Sequence, residues 1–195
     1  MDAALLILDM QNDIIGRHRH GNGHGGAMPV EDLVSRILEL RDGFRQAGLP
    51  VIYTRVAYRL DYADAHVTAP ARARSTLREG EPSSAVIEEL TPAADDYVVI
   101  KRRIGAFYQT DLELLLRGLG RRALVVTGTS LPRALESTVR EAHSRDIRCI
   151  VVSDASYAAS PEEHEHCLGV LGKYGFADVM DTAAVLSVIA KEQGS

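Results

Sequence analysis

The segment that decides the fold of this 195-residue chain is residues 121–153, RRALVVTGTSLPRALESTVREAHSRDIRCIVVS. Residues 122–127 and 148–153 are short and rich in Val, Ile and Leu, which is typical of strands. Residues 132–144 between them begin with proline, a residue favoured in the first turn of a helix. A strand, a helix and a second strand in this order form the unit from which parallel sheets are built. The segment therefore predicts an α/β fold.

The same alternation of strand-like and helix-like segments continues in both directions along the chain. Each strand-like segment is nearly continuous in apolar residues, which is typical of strands covered by helices on both faces. We therefore expect a three-layer α-β-α sandwich around a mostly parallel six-stranded sheet. Strands are predicted at 3–9, 50–55, 97–101, 122–127, 148–153 and 177–180. Helices are predicted at 30–46, 111–117, 132–144, 161–174 and 182–191, and loops rich in turn-forming residues at 16–29 and 58–82.

The composition narrows the class of protein. With 46% hydrophobic residues and no break in composition, 1–195 is expected to form one domain. The formal charge is −5 and no basic stripe is present, so we expect no nucleic-acid partner. The apolar run at 3–8 ends in Asp9 and lacks the flanks of a signal peptide, so we interpret it as a buried strand, with no membrane span. Cys149 and Cys167 do not resemble a disulfide framework, which favours a cytoplasmic location.

Three residues that could form a reactive or binding site lie at or just after the ends of predicted strands. In an open parallel sheet, ligands bind beyond the carboxyl ends of the strands. Asp9 closes the first strand, Lys101 ends the third, and Ala134 stands in the first turn of the helix after the fourth. Each has an ordinary explanation alone, because an acid can cap a turn and a terminal lysine usually points to solvent. Together, a carboxylate, an ammonium and a helix start predict a catalytic site at one edge of the sheet.

Three separated segments of the sequence form a recognisable set. They are LILDMQND at 6–13, KRRIGAF at 101–107 running into TDL at 110–112, and VVTG at 125–128 followed by LESTVREA at 135–142. In this order they resemble the isochorismatase-like cysteine hydrolases, which include nicotinamidases, N-carbamoylsarcosine, ureidoacrylate and biuret amidohydrolases, and isochorismatase. The resemblance covers nearly the whole chain and implies the Rossmann-like topology of that family together with a hydrolytic activity.

The resemblance also implies a role for each candidate residue. In thiol-bearing members the nucleophilic cysteine stands two residues before the glutamate of the EST run, and here that position is Ala134. Asp9 would be the base and Lys101 the electrostatic partner of a thiolate that forms a thioester. A methyl group cannot perform the covalent step. The resemblance assigns the turn that would hold the oxyanion to Thr129, Ser130 and Arg133. The family often has a cis peptide in this turn, at the place that corresponds to residues 129 and 130 here.

Three explanations of Ala134 are open. The chain can be an inactive cysteine-to-alanine variant of a hydrolase that cleaves a C–N bond in a small amide, ureido or carbamoyl compound, which the thiol-type residues around the site favour. It can be a natural enzyme without covalent catalysis, resembling isochorismatase, in which aspartate and water cleave a vinyl ether. It can also be a non-catalytic protein that binds a small molecule on the same fold.

Further expectations concern ligands. A guanidinium at Arg55 would favour a substrate carboxylate or polar carbonyl, although it could equally pair with Asp61 or Asp64. The candidate substrate-binding residues are Gln11, Asn12, Arg55, Phe107, Tyr108 and Tyr157. The resemblance implies a homodimer or homotetramer, with a small amide or ureido compound as the binding partner.

No cofactor and no metal are expected. Nicotinamidases hold a metal through a histidine-bearing stretch after the second strand, and the corresponding residues 55–61 contain no histidine. His18, His20 and His24 lie in a glycine-rich segment, where alternate histidines are usually solvated. The glycines at 21–26 lack the lysine and the directly following helix of a phosphate-binding loop.

Overall fold

The computed structural model of the protein describes residues 2–20, 26–66 and 76–193. Its strands are β1 (Ala3–Leu8), β2 (Val51–Val56), β3 (Tyr97–Lys101), β4 (Ala123–Thr129), β5 (Arg148–Tyr157) and β6 (Asp178–Met180). Its α-helices are α1 (Asn12–Arg19), α2 (Val30–Gln46), α3 (Leu112–Gly118), α4 (Glu136–His143), α5 (Pro161–Lys173) and α6 (Thr182–Gln193). Short helical turns occur at Pro82–Ser84, Glu88–Leu90 and Leu131–Leu135, the last of them π-helical.

The strands form a six-stranded sheet in the order β3-β2-β1-β4-β5-β6, and every neighbouring pair in it is parallel. The predicted α/β fold with a six-stranded parallel sheet is confirmed. The strand order reverses at β1, which has β2 on one side and β4 on the other. Clefts for ligands form at such a reversal, beyond the carboxyl ends of the strands. The end of β1, and therefore Asp9, lies at this point.

Helices cover both faces of the sheet, and β1 shows how its residues divide between the two layers. Ala3, Leu5 and Ile7 pack in one core cluster with residues of α2 and α6, whereas Ala4, Leu6 and Leu8 pack in the other with residues of α3, α4 and α5. All six residues of β1 are buried. Burial on both faces explains why the strand sequence is continuously apolar.

Helix α2 has the predicted bounds. Leu33, Ile37, Leu40 and Phe44 are fully buried, and they recur at the three- and four-residue spacing of one helix face. The helix ends at Gln46 and Ala47 caps it. Gly48 follows with φ of +65°, a backbone angle that glycine adopts without steric cost.

The helix predicted at 132–144 begins as the π-helical turn at Leu131–Leu135 and continues as α4 only from Glu136. Two further predicted boundaries were wrong. Residues 16–29 were expected to be a loop, but α1 extends through Arg19, because an ion pair between Asp13 and Arg17 one turn apart and the burial of Ile15 stabilise the helix despite its polar sequence. Strand β5 continues beyond residue 153 to Tyr157, since a register shift after Val126 lets its last residues pair with β4 again. His24, part of the histidine-rich segment, lies outside the described residues.

In the described part of the chain, no helix is both long enough and apolar enough to cross a bilayer.

Candidate active site

A buried ion pair between Asp9 and Lys101 lies at the carboxyl edge of the sheet. Lys101 Nζ is 2.7 Å from Asp9 Oδ2, and the two side chains are 1% and 7% exposed, respectively. Strand β2 separates β3 from β1, which places their axes roughly 9–10 Å apart. A long lysine side chain that turns across β2 spans this gap. The structure therefore brings together two residues that are 92 positions apart in the sequence.

Other polar groups hold each partner of the pair in place. Thr54 Oγ1, at the adjacent end of β2, donates to Asp9 Oδ1 at 2.8 Å. Lys101 Nζ also donates to the carbonyl oxygens of Ile104 at 2.8 Å and Arg103 at 3.4 Å. Because each carboxylate oxygen has two lone pairs, one hydrogen bond on each leaves Asp9 able to interact with a water or a substrate.

The backbone at Asp9 has an unusual conformation. Its φ is +55°, in the left-handed region that few residues other than glycine adopt. Its N–H donates to Thr54 O at 3.3 Å, and its carbonyl oxygen accepts from Thr129 Oγ1 at 3.2 Å. Strained residues of this kind concentrate at functional sites, where surrounding contacts hold them. Here the ends of β2 and β4 hold Asp9.

The turn that carries Ala134 begins beside Asp9. Leu8 pairs with Gly128 across β1 and β4, and Gly128 has φ of +113°. A Cβ atom at this glycine would lie 2.2 Å from Leu8 O, so only glycine permits the close approach of the two strands. The peptide between Thr129 and Ser130 is cis. The π-helical turn follows directly, and within it Ala134 is buried, with 6% of its surface exposed.

Hydrogen bonds from α4 connect this turn to the segment after β3. Thr138 Oγ1 donates to Ala134 O at 2.6 Å and accepts from Ala106 N at 3.1 Å. Glu141 Oε2 accepts from Phe107 N at 3.0 Å. The segment that supplies the carbonyl partners of Lys101 is thus fastened to the helix that carries position 134.

Neither cysteine of the chain is placed to act as a nucleophile beside Asp9 and Lys101. Cys149 is in β5 and Cys167 in α5, both buried and both outside the residues that contact the Asp9–Lys101 pair. Burial raises the pKa of Cys149 to about 12, and burial with the nearby Glu136 raises the pKa of Cys167. Nucleophilic attack needs the thiolate, which such pKa values disfavour at neutral pH.

Two predicted substrate-binding residues have structural partners. Gln11 is fully buried, and its amide group donates to Val56 O at 2.8 Å and Ser84 O at 2.7 Å and accepts from Val56 N at 2.8 Å. Asn12 Nδ2 donates to Pro82 O at 2.9 Å. Gln11 thus links Ser84 to the end of β2, and Asn12 links Pro82 to the start of α1. Both amide protons of Gln11 are already used.

Arg55 and the predicted aromatic residues have different surroundings. Arg55 is half-buried, and its Nε is buried without a hydrogen-bond partner among the described residues. Phe107 is buried with the Arg145 guanidinium 5.0 Å from its ring centre, and Tyr157 is buried with the His18 ring 4.3 Å away. Tyr108 is half exposed. Phe107 and Tyr157 therefore have packing partners within the protein.

Tyr58 and His66, which were not predicted as site residues, lie within the electrostatic range of the site. Burial raises the pKa of Tyr58, with Arg103 opposing and Asp9 adding to the rise. Burial lowers the pKa of His66, and the charges of Arg103, Arg133 and Lys101 lower it further. One feature of the sequence indicated that His66 could belong to the site: it is the single histidine between residues 58 and 82.

Across residues 2–20, 26–66 and 76–193, no three side chains of the metal-ligating types are grouped so that they could hold a metal ion.

Comparison with known proteins shows the family of the chain. The sequence profile of the isochorismatase domain matches residues 3–184. The chain belongs to the isochorismatase family. It is 34% identical to the uncharacterized isochorismatase family protein YecD of Escherichia coli O157:H7, over 85% of each chain. It is 32% identical to isochorismatase of Bacillus subtilis strain 168, over 92% of this chain but 56% of that protein, so it spans little more than half the length of that relative.

Proteins named as an amidohydrolase, a cysteine hydrolase and an amidase are also similar to this member of a hydrolase family. The chain is 28% identical to ureidoacrylate amidohydrolase RutB of Methylorubrum extorquens, over 97% of this chain and 83% of that protein. The structure of a cysteine hydrolase from Pseudomonas syringae pv. phaseolicola 1448A superposes with a TM-score of 0.84, at 27% identity over 97% and 93% of the two chains. N-carbamoylsarcosine amidase from Thermoplasma acidophilum superposes with a TM-score of 0.75, at 27% identity over 93% and 97%.

Proposed function

We propose that this isochorismatase-family protein hydrolyses a vinyl ether without forming a covalent intermediate, with Asp9 as the acid–base group and Lys101 as its electrostatic partner. The observation that carries the proposal is the buried Asp9–Lys101 pair, 2.7 Å apart, next to a turn whose nucleophile position holds the methyl group of Ala134. The similarity to Bacillus subtilis isochorismatase supports the same reaction class.

Vinyl ether hydrolysis suits a site with an acid and no nucleophile. A proton adds to the terminal vinyl carbon, water attacks the resulting oxocarbenium carbon, and the hemiketal collapses to an alcohol and a ketone. Asp9, protonated when the substrate binds, would give this proton to the vinyl carbon. The carboxylate so formed would then take a proton from the attacking water and return Asp9 to its starting state. Lys101 and Thr54 would stabilise and orient that carboxylate in a site that excludes bulk water, where charges interact more strongly than in solution.

A second candidate is the hydrolysis of a C–N bond in a small amide, ureido or carbamoyl compound through a cysteine at position 134. The similarity to RutB and to N-carbamoylsarcosine amidase supports it. A thiol at this position would lie at the start of a helical segment and near a lysine, two features that lower a thiol pKa. If this second candidate is correct, the chain with Ala134 has no hydrolytic activity or a strongly reduced one, because no thioester can form.

Turnover by the unsubstituted chain separates the two candidates. We expect the chain to release a ketone from enol ethers such as isochorismate, and Asp9→Asn to lower kcat by about 10²–10⁴-fold, the usual contribution of a general acid–base group. Ammonia release from ureidoacrylate or N-carbamoylsarcosine by Ala134→Cys alone, with no ether hydrolysis by the unsubstituted chain, would establish the second candidate instead.

Ala134→Ser is the matched control for the cysteine variant, because it adds a polar atom of similar size without a thiol. Iodoacetamide should label Ala134→Cys. Cys149 and Cys167 should stay unlabelled in the folded protein, because burial raises the pKa of both thiols and keeps them protonated. If neither the unsubstituted chain nor Ala134→Cys acts on either class of substrate, both candidates fail.

The cellular setting is part of the proposal. The two free cysteines support a reducing compartment, and we propose the cytoplasm. We also propose that the chain acts as a homodimer or homotetramer, on the resemblance to its family. Light scattering of the purified protein at micromolar concentration tests this, and a monomeric mass contradicts it.

A further inference from the structure

The ammonium group of Lys101 has an acceptor for each of its N–H bonds. A lysine ammonium carries three donors. Its nitrogen lies 2.7 Å from Asp9 Oδ2, 2.8 Å from Ile104 O and 3.4 Å from Arg103 O. Because two of these acceptors are backbone carbonyl oxygens, the direction in which the ammonium meets Asp9 depends on where residues 103 and 104 lie.

The backbone that supplies these two carbonyl oxygens forms neither a strand nor a helix. Strand β3 ends at Lys101 and α3 begins at Leu112, and residues 102–111 between them form bends and turns. A segment of this kind is held by the partners that its N–H and C=O groups find elsewhere in the fold. The side chains that provide those partners therefore control the position of residues 103 and 104.

Helix α4 provides one such partner through the carboxylate of Glu141. Glu141 Oε2 accepts a hydrogen bond from Phe107 N at 3.0 Å. The neighbouring Arg145 uses its guanidinium for other acceptors, since Nη1 donates to Glu141 O at 2.7 Å and Nε donates to Glu113 Oε2 at 3.0 Å. A hydrogen bond to an ionised acceptor is stronger than one between neutral groups. The carboxylate of Glu141 thus holds the segment after β3 by a strong bond to its backbone.

Gly105 lies against the same carboxylate. A Cβ atom at this position would lie 2.3 Å from Glu141 Oε2 and 2.4 Å from Glu141 Cδ and Oε1, so no side chain fits while the carboxylate stays in place. The φ angle of Gly105 lies outside the left-handed region, so its backbone conformation does not itself require glycine. What requires glycine here is the space that the Glu141 carboxylate occupies, one residue after Ile104.

We propose that Glu141 is a positioning residue for Lys101. Its carboxylate packs against Gly105 and binds Phe107 N, and these two contacts fix the carbonyl oxygens that orient the lysine ammonium. When the contacts are lost, the ammonium turns away from Asp9 and becomes more accessible to water. The inference rests on the proposed function for the reaction at Asp9 and deepens it, because it names a residue that acts on this reaction through the backbone after β3.

NMR of the chain with ¹⁵N-labelled lysine observes this ammonium directly. The chain has three lysines, of which Lys101 is buried and Lys173 and Lys191 are exposed, so Lys173→Arg and Lys191→Arg assign the Lys101 signal by elimination. Buried, hydrogen-bonded N–H groups exchange slowly with water, and Glu141→Ala should speed exchange at Lys101 by about tenfold or more. Glu165→Ala, at an exposed position on α5, is the matched control and should leave the exchange rate unchanged.

Gly105→Ala tests the same contact without removing the carboxylate. The new methyl group would displace the end of the flexible Glu141 side chain, and the bond between Thr138 and Ala106 N remains, so we expect the variant to fold. Exchange at Lys101 should rise as it does in Glu141→Ala. The double variant should exchange no faster than either single variant, because both substitutions remove the same contact. Glu141→Gln retains an acceptor oxygen and should recover most of the slow exchange.

Kinetics separates a positioning role from a purely structural one. With an enol ether as substrate, Glu141→Ala should lower kcat by about ten- to a hundredfold and change KM by less than about twofold, since the displaced ammonium affects the reacting group. Unchanged exchange at Lys101 in either single variant, or additive increases in the double variant, would overturn the proposal. A chain that hydrolyses no ether yet shows these exchange changes contradicts the proposed function and leaves the positioning role of Glu141 standing.

Discussion

The hydroxyl group of Thr138 donates to the carbonyl oxygen of Ala134 at 2.6 Å. The hydroxyl oxygen also accepts a hydrogen bond from Ala106 N at 3.1 Å. Two residues before Ala106, the carbonyl oxygen of Ile104 accepts a hydrogen bond from Lys101 Nζ at 2.8 Å. Thr138 is fully buried, so water cannot replace either bond. One hydroxyl therefore sets the position of the turn that contains residue 134 relative to the loop whose carbonyl oxygens hold Lys101.

Replacing Thr138 by valine should destabilise the protein by about 1–3 kcal/mol, because the N–H of Ala106 is left buried without a partner. Thr138→Ser keeps the hydroxyl and loses one methyl group, which costs about 1 kcal/mol. Urea unfolding followed by circular dichroism measures both. In the Ala134→Cys background, valine should also shift the pH dependence of iodoacetamide labelling, whereas serine should not. Equal effects of valine and serine in both measurements would show that the hydroxyl bonds contribute little.

The Asp9–Lys101 pair should be strongly coupled. Lys101→Met leaves a carboxylate buried without its cation, and we expect a loss of about 3–5 kcal/mol in the free energy of unfolding at pH 7. Asp9→Asn in the same background should recover part of this loss, because the remaining amide and methionine carry no charge. A double-mutant cycle in urea measures the coupling, and additive single effects would contradict it.

The helices and strands could be predicted largely because burial leaves a periodic pattern. Residues 30–46 repeat apolar residues at helical spacing and fold as α2, and residues 3–8 are apolar without interruption and fold as a strand covered on both faces. Helix α1 lacks such a pattern, since Ile15 is its single fully buried residue and Gly16 lies at its centre. Its charged pairs and its contacts with the rest of the chain are not visible as periodicity.

Predictions about the site depended on how side chains are oriented. Asp9 and Lys101 could be predicted to meet because the topology places the ends of their strands at one edge. Gln11 occupies the same edge, yet its amide bonds to Val56 and Ser84, partners that only the folded loop brings close. His66 was missed for the same reason: contacts of Asp64 with two arginines place it, and no spacing rule encodes them.

Gly128 should be intolerant of any side chain. In Gly128→Ala the new Cβ would lie 2.2 Å from Leu8 O and the residue would have to keep a φ of +113°, so we expect a loss of more than about 3 kcal/mol or failure to fold. Gly169→Ala is the matched control, because this glycine is inside α5 with open space around it. It should stabilise by about 0.5–1 kcal/mol. Thermal unfolding of both variants tests the pair, and a Gly128→Ala protein as stable as the parent would contradict the close approach of β1 and β4.

Stability should fall as the pH is lowered through the range in which histidine titrates. His18 lies 4.3 Å from the Tyr157 ring, and burial, followed by the charge of Arg17, lowers its pKa below the ordinary value of 6.5. The unfolded chain then binds a proton more readily than the folded one, so acidification below about pH 6.5 favours unfolding until the folded ring also protonates. His18→Phe keeps a ring beside Tyr157 and removes the titration.

The Tm of His18→Phe should therefore fall less than that of the parent between about pH 7.5 and pH 5.5. His166→Gln, at an exposed position on α5, is the control and should follow the parent. His66 also makes the protein less stable at lower pH, since burial and nearby arginines lower its pKa. The change of Tm with pH in His18→Phe should therefore be smaller than in the parent but not zero. Parallel Tm curves for His18→Phe and the parent would mean that the ring of His18 titrates alike in the folded and unfolded chains.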